Sequence, residues 1–386
     1  MKKYIISGMK PGVGGTGDFV DYLLSINTNK KFNYELLTPD NKFSLPKNWI
    51  LRKATALSRR IRKRLFYDND WQIFENSVFY NKVSKIQDSD IILLHPQTLG
   101  FKILLNLIKN GNRIMYYVLD NSFFCVQSYN YHSNEQECLR CLGFQQTPFY
   151  DCNPFPVLTS RAKMLEHMKE FKELSKKIHF FTQNSNQLEM IKKHFGQDTN
   201  VETVGMWTKS LEMLKDKPKI NITKRNIKPR IVYHASNIDP KGYSYFIELA
   251  KRLPQFEFVL PITPYSLITN FPSNLYSTIM TWENGLMDLI QNSELTICPS
   301  LWSAANEAAL IKSILFAPKV AVIELLFGFE GTLPQSFLLR LNKNVTIGIE
   351  QIIEYFRNPI VNDPDEVDNW INLYKSNCQI DKLFIK

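Results

Sequence analysis

The sequence predicts an α/β fold of two parallel-sheet domains, and three observations carry that prediction. Short apolar runs rich in Val and Ile alternate with amphipathic stretches of helical spacing, the signature of parallel α/β units. The rhythm occurs twice, on either side of a polar, lysine-rich segment with two prolines at residues 212–229. A chain of 386 residues also exceeds what one hydrophobic core usually supports.

In the first half the apolar runs predict strands at Lys3–Ser7, Tyr34–Leu37, Asp90–His95, Arg113–Leu119, Lys177–Thr182 and Val201–Val204. Helical spacing predicts helices at Asp18–Ser25, Ala54–Leu65, Leu99–Asn110, Arg161–Ser175 and Gln187–Phe195 between them. In the second half strands are expected at Arg230–His234, Phe256–Pro261, Ser277–Thr281, Leu295–Cys298 and Lys319–Ile323. The expected organisation is an N-terminal Rossmann-like domain over 1–211, a linker over 212–229 and a C-terminal Rossmann-like domain over 230–358. Apolar positions at helical spacing (Val367, Trp370, Leu373, Tyr374) predict a helical tail over 359–386 that packs back on the N-terminal domain.

No stretch approaches the ~20 apolar residues of a transmembrane helix, and MKKYIISGMKPG reads as a first strand and not as a signal peptide. The expectation is a cytoplasmic protein. The net charge of +10 is concentrated: between Asp40 and Asp68 nine basic residues and no acidic one supply +9, leaving +1 for the rest. Arg52, Lys53, Arg59, Arg60, Arg62, Lys63 and Arg64 belong to this segment, with Ala54, Leu57, Ile61 and Leu65 at helical spacing among them. Such a helix suits an anionic membrane surface, each basic residue contributing ~1 kcal/mol there. The competing readings are a solvated face and, less favoured, nucleic acid.

Parallel sheets bind ligands at the carboxyl ends of their strands. After the strand Leu295–Cys298 comes Pro299-Ser300, then Ser303-Ala304-Ala305, a turn before a helix that would present backbone N–H groups to an anion. Lys241 would add a positive charge after the strand Arg230–His234, with Ser236 and Asn237 in the same loop. The combination suggests a diphosphate-bearing ligand. Glu307, at the start of the helix, reads either as a ligand contact or as stabilisation of the helix dipole. Trp282 reads either as a platform for a base or as core. GVGGTG (residues 12–17) fits the dinucleotide fingerprint with Glu35 about twenty residues on, but Met9-Lys10-Pro11 makes a looser turn than that motif needs.

In order and spacing these segments resemble the glycosyltransferases of the GT-B fold, most nearly the retaining, family 4-like enzymes. The resemblance is carried by GVGGTG, by DIILLH (residues 90–95), by FFTQNSNQLEMIKKHFGQDTNVETVG (180–205), by KPRIVYHASNIDPKGYSYFIELAKRL and by LMDLIQNSELTICPSLW. It implies two domains facing a cleft, a nucleotide-sugar donor held mainly by residues 230–330 and an acceptor held by the N-terminal half. Lys241, Glu307 and His95 are the candidate catalytic residues. Gly12, Gly14, Gly15 and Gly17 would let backbone approach the substrates, and Asp120 with His95 would orient the acceptor. The family's arginine five residues before the lysine is Ser236 here. Its two glutamates fall at Ser303 or Ala304 and at Ile311 or Lys312. The resemblance implies front-face transfer with retention, in which the leaving phosphate takes the acceptor's proton and no protein nucleophile is needed.

Four of the six cysteines fall within 28 residues, at Cys125, Cys138, Cys141 and Cys152, in an aperiodic insertion over 121–157. With a Cys-x2-Cys pair they suit a closed, structural zinc site, and His132 is an alternative ligand; no catalytic metal is expected. The sequence thus predicts a glycosyltransferase moving a sugar from a nucleotide donor to a saccharide or polyprenyl-phosphate-linked acceptor. The expected setting is surface polysaccharide synthesis (capsule or O-antigen), peripheral on the inner face of the cell membrane. The alternatives are a non-catalytic GT-B-like binding protein and a zinc-containing nucleic-acid binder.

Overall fold

A computed structural model describes residues 1–12, 14–39, 77–132, 137–144, 152–154, 160–209, 228–262, 271–360 and 363–384. The basic segment with Arg52, Lys53, Arg59, Arg60, Arg62, Lys63 and Arg64 lies outside them, as do residues 212–227 of the expected linker. The chain divides into two compact units: Met1–Asn130 with Leu139–Trp207 and Gln379–Lys386, and Tyr131–Cys138 with Thr208–Cys378. Among the described residues no helix is long and apolar enough to cross a membrane.

The first unit carries β1 (Lys3–Ser7), β2 (Glu35–Leu37), β3 (Asp90–Leu94), β4 (Arg113–Tyr117), β5 (Ile178–Thr182) and β6 (Val201–Thr203). They form one parallel sheet in the order β2-β1-β3-β4-β5-β6. Every residue of β3 is buried, whereas the edge strands β2 and β6 are partly exposed. That is why the central strands read as unbroken apolar runs. The helix expected over Leu99–Asn110 is two pieces, Pro96–Leu99 and Phe101–Lys109, parted by Gly100 at φ 91, a conformation other residues avoid. Ser160 caps the helix Arg161–Leu174 by accepting from the Lys163 N–H, and Asn184 caps Ser185–Phe195 through the Gln187 N–H.

The first helix begins at Gly14, four residues earlier than Asp18. Gly14, Gly15 and Gly17 therefore lie in a helical first turn, and Gly12 alone of the four precedes it, at φ 71. The glycine loop of the sequence reading is largely helix.

The second unit repeats the pattern with β7 (Arg230–Tyr233), β8 (Glu257–Ile262), β9 (Leu275–Ile279), β10 (Leu295–Cys298), β11 (Val320–Ile323) and β12 (Leu338–Leu341). Its sheet is also parallel, in the order β12-β11-β10-β7-β8-β9. Side chains alternate between its two faces. Val232, Val259, Cys298, Val320 and Val322 join one core; Ile231, Tyr233, Phe258, Leu260, Ile297 and Ala321 join the other. The sequence reading lacks β12. The helix Pro364–Asn377 places Val367, Trp370 and Ile371 in the first of these cores. The residues after it return to the first unit, where Ile380, Leu383 and Phe384 are buried and Phe384 stacks on Phe32 at 4.6 Å.

Candidate functional site

In each sheet the strand order reverses at one place, and ligands of open parallel sheets bind at the carboxyl ends of the strands flanking it. In the second sheet the chain runs from β7 outward through β8 and β9, then sets β10 on the other side of β7. The loops after β7 and β10 are those that hold Ser236, Asn237 and Lys241 and the run Ser300–Glu307.

Local chemistry packs these loops tightly. Gly242 has φ 75, and a side chain there would overlap the Pro299 carbonyl. The Leu301 N–H donates to the Pro240 carbonyl at 2.9 Å. The Tyr233 hydroxyl, at the end of β7, lies 2.7 Å from the Ser236 carbonyl and 3.0 Å from that of Lys241, pinning both ends of the loop. Asn237 reaches the Pro261 carbonyl at 3.4 Å through its amide nitrogen, and its buried amide oxygen has no hydrogen-bond partner among the described residues.

Lys241, Ser300 and Glu307 converge. The Lys241 ammonium pairs with the Glu307 carboxylate, and the Ser300 hydroxyl donates to the same oxygen at 2.5 Å. The ammonium also lies 4.7 Å from the centre of the Trp302 ring. Both charges are well covered, at 17% and 5% exposure. Removing one partner of such a pair strands the other charge away from water. Glu307 is the N-cap of the helix Ala308–Phe316 but makes no side-chain capping bond, so its carboxylate is turned to Lys241 and Ser300 instead.

Beside the pair a cavity opens between the ends of β10 and β11, lined by Cys298, Ser300, Trp302, Ala304, Glu307, Leu325, Phe329 and Glu330 among others. Burial raises the Glu330 carboxyl to about 7, aided by the nearby charge of Glu137; the Leu325 N–H donating to it at 2.8 Å opposes the rise. Ser303, Ala304 and Ala305 are buried, and the Ala304 N–H is engaged by the Trp302 carbonyl at 2.7 Å. Trp282 is 8% exposed within the core, stacked on His234 at 5.6 Å with the Lys312 ammonium 4.6 Å from its ring centre. Ile311, one position where the resemblance looks for a glutamate, is fully buried in the same core.

In the first sheet the reversal lies between β1 and β3. The loop after β1 passes so close to the turn after β3 that a side chain on Gly8 would overlap Thr98. His95 follows β3 in the left-handed region, φ 55 and ψ 57. Its Nδ1 is 2.7 Å from the Thr98 hydroxyl, and its Nε2 is 3.6 Å from Asp120 Oδ2. Burial lowers the His95 pKa against the pull of Asp120, and burial raises the Asp120 pKa against the pull of His95. The Ser122 N–H donates to Asp120 at 2.9 Å. The structure thus brings His95 and Asp120 together.

Cys125, Cys141 and Cys152 belong to the first unit and Cys138 to the second, as His132 does. Among the described residues no three His, Cys, Asp or Glu side chains are grouped to hold a metal. The sequence reading singles out neither Gly8, Glu330 nor Glu137.

No protein-family model and no curated protein matches the sequence. Solved structures do. Sucrose-phosphate synthase from Thermosynechococcus elongatus superposes with a TM-score of 0.60 at 10% identity, covering 99% of this chain and 96% of its own. The lipopolysaccharide outer core galactosyltransferase WaaB gives 0.57 at 10% identity, covering 99% of both chains. The E. coli trehalose-6-phosphate structure bound with UDP-2-fluoro glucose gives 0.56 at 12% identity, over 100% of this chain and 99% of its own. At such identities the likeness is one of fold, and the fold is GT-B.

Proposed function

We propose that this protein is a glycosyltransferase that takes a sugar from a nucleotide-sugar donor. The observation that carries the reading is the convergence of Lys241, Ser300 and Glu307 beside a cavity at the point where the second sheet reverses its strand order. A donor's diphosphate is drawn to the Lys241 ammonium, in competition with Glu307. Once displaced, Glu307 becomes an acceptor for sugar hydroxyls. As the glycosidic bond to phosphate breaks, negative charge grows on the leaving group, and a fixed ammonium in a site sheltered from water stabilises it without reorganisation. Support from the comparisons is the UDP-2-fluoro glucose of one structural neighbour.

A thermal-shift panel of UDP-, GDP-, CMP- and dTDP-sugars on wild type and Lys241→Ala tests this. A ligand bound only by the folded state raises the midpoint by mass action. The expected result is a rise with one nucleotide class that Lys241→Ala abolishes. A rise of equal size in both proteins would remove Lys241 from the site.

The finer reading follows the sequence: a saccharide or polyprenyl-phosphate-linked acceptor in surface polysaccharide synthesis, with retention at the anomeric carbon. NMR of the product's anomeric proton decides the stereochemistry. The basic segment is proposed to hold the enzyme on anionic membrane, which co-sedimentation with phosphatidylglycerol vesicles would reveal. The cysteines are proposed to bind zinc; metal analysis of the purified protein finding none would end that idea. A non-catalytic binding protein is favoured by the absence of a carboxylate at Ile311; release of free nucleotide on incubation with donor and acceptor separates the two.

A further inference from the structure

Glu137 sits in the short segment Tyr131–Cys138, which packs in the second unit although the chain on either side belongs to the first. Its backbone is left-handed, φ 51, a conformation that side-chain-bearing residues keep only where their surroundings impose it. The carboxylate accepts three hydrogen bonds. Oε1 takes the Ser303 hydroxyl at 2.7 Å and the Phe327 N–H at 2.6 Å; Oε2 takes the Leu326 N–H at 2.6 Å. Its own N–H donates to the Leu301 carbonyl at 2.8 Å.

One residue therefore ties the turn after β10 to the turn after β11. These turns carry the cavity walls, Trp302 and Ala304 on one and Leu325 and Phe329 on the other. Three donors converge on Glu137, and only an anion with two acceptor oxygens satisfies them all. Glutamine would turn an NH2 group toward at least one N–H, and aspartate is a methylene too short. Hydrogen bonds to an ionised acceptor are the strong class.

We propose that Glu137 is a positioning residue of the donor site: through Ser303, Leu326 and Phe327 it sets the separation of the cavity's two walls. The inference rests on the reading of that cavity as a nucleotide-sugar site. The cysteine-flanked segment then has a task in the second unit, which is to deliver this carboxylate.

The test uses the full chain as wild type, Glu137→Gln, Ser303→Ala and the double variant. Hydrogen exchange without ligand should show the Leu326 and Phe327 amides exchanging about tenfold faster or more in Glu137→Gln, with amides elsewhere unchanged. Affinity for the nucleotide sugar found in the panel should fall about tenfold or more. Ser303→Ala, which keeps both N–H bonds, should lose less, and the double variant should be no worse than Glu137→Gln. Unchanged exchange at residues 326 and 327, or unchanged affinity, would overturn the proposal. Tighter donor binding in Glu137→Gln would overturn it too, making Glu137 an internal plug. A wild type that binds no nucleotide sugar defeats the donor reading and the positioning role with it, while the exchange result still stands as evidence on the clamp.

Discussion

Two glycines with the same name have opposite roles. Gly242 combines φ 75 with a Pro299 carbonyl where its side chain would lie, whereas Gly15 sits in the first helix with no atom of the described residues within 4 Å of an added Cβ. Gly242→Ala is expected to cost ~2 kcal/mol or more, the left-handed conformation alone costing a non-glycine residue ~1 kcal/mol. Gly15→Ala is expected to stabilise by ~0.5–1 kcal/mol, as alanine loses less backbone entropy in a helix. Urea denaturation of the two variants checks both signs. Equal effects would mean that the approach of Pro299 to the Lys241 loop matters little. The sequence reading assigns Gly242 no role of its own. Its steric reason depends on a loop that lies 57 residues further along (299 − 242) and comes near only when β10 pairs with β7.

Between elements, His194 binds the helix Ser185–Phe195 to the turn Leu142–Phe144, its Nδ1 accepting the Gly143 N–H at 3.0 Å. Burial, helped by the charge of Lys172, lowers its pKa from 6.5 to about 3. The folded protein thus binds fewer protons than the unfolded chain over that interval. Stability should fall as pH drops below 6.5, by up to ~1.4 kcal/mol per pH unit for this group, and level off below about 3. Protonation at Nδ1 also removes the acceptor for Gly143. Denaturation of wild type and His194→Gln between pH 7 and 4 is expected to give a shallower pH slope in the variant; parallel slopes would show that His194 titrates normally.

What the sequence made legible at this scale follows from physics local to each element. The central strands were readable because burial on both faces leaves unbroken apolar runs, as in Ile91–Leu94 of β3 and in β11. The edge strand β12 was not, because Arg340 interrupts four residues that pair only with β11. Lys241, Ser300 and Glu307 were named from loop position and from the resemblance, and the structure brings their side chains into contact. Glu137 was not, because it lies in an aperiodic stretch and its partners are 166 to 190 residues away.

For the molecule as a whole, neither unit is a continuous length of chain. The last described residues seal the first unit: the Gln379 N–H donates to the Val204 carbonyl at 2.7 Å, Asp381 pairs with Lys30 at 2.9 Å, and Phe384 meets Tyr34 edge-on. Truncation after Cys378 exposes the ground under Ile380, Leu383 and Phe384, and is expected to cost on the order of 5 kcal/mol at ~1.5–3 kcal/mol per buried side chain. Calorimetry should show the loss in the transition of the first unit, with that of the second unchanged. A truncated protein that melts like wild type would mean that this segment is cover without energetic weight.

The return of residues 379–384 to the first unit also fixes an order of events at the ribosome. A chain emerging at ~5–20 residues per second ordinarily lets its first domain close before the second is made. Here the amino-terminal sheet can pair its strands early, yet the patch around Phe32 and Tyr34 waits, uncovered, until residues 379–384 follow the whole second sheet out of the ribosome. During that interval the nascent protein carries an aromatic surface that its finished form hides, and this is where a chaperone would find its handle.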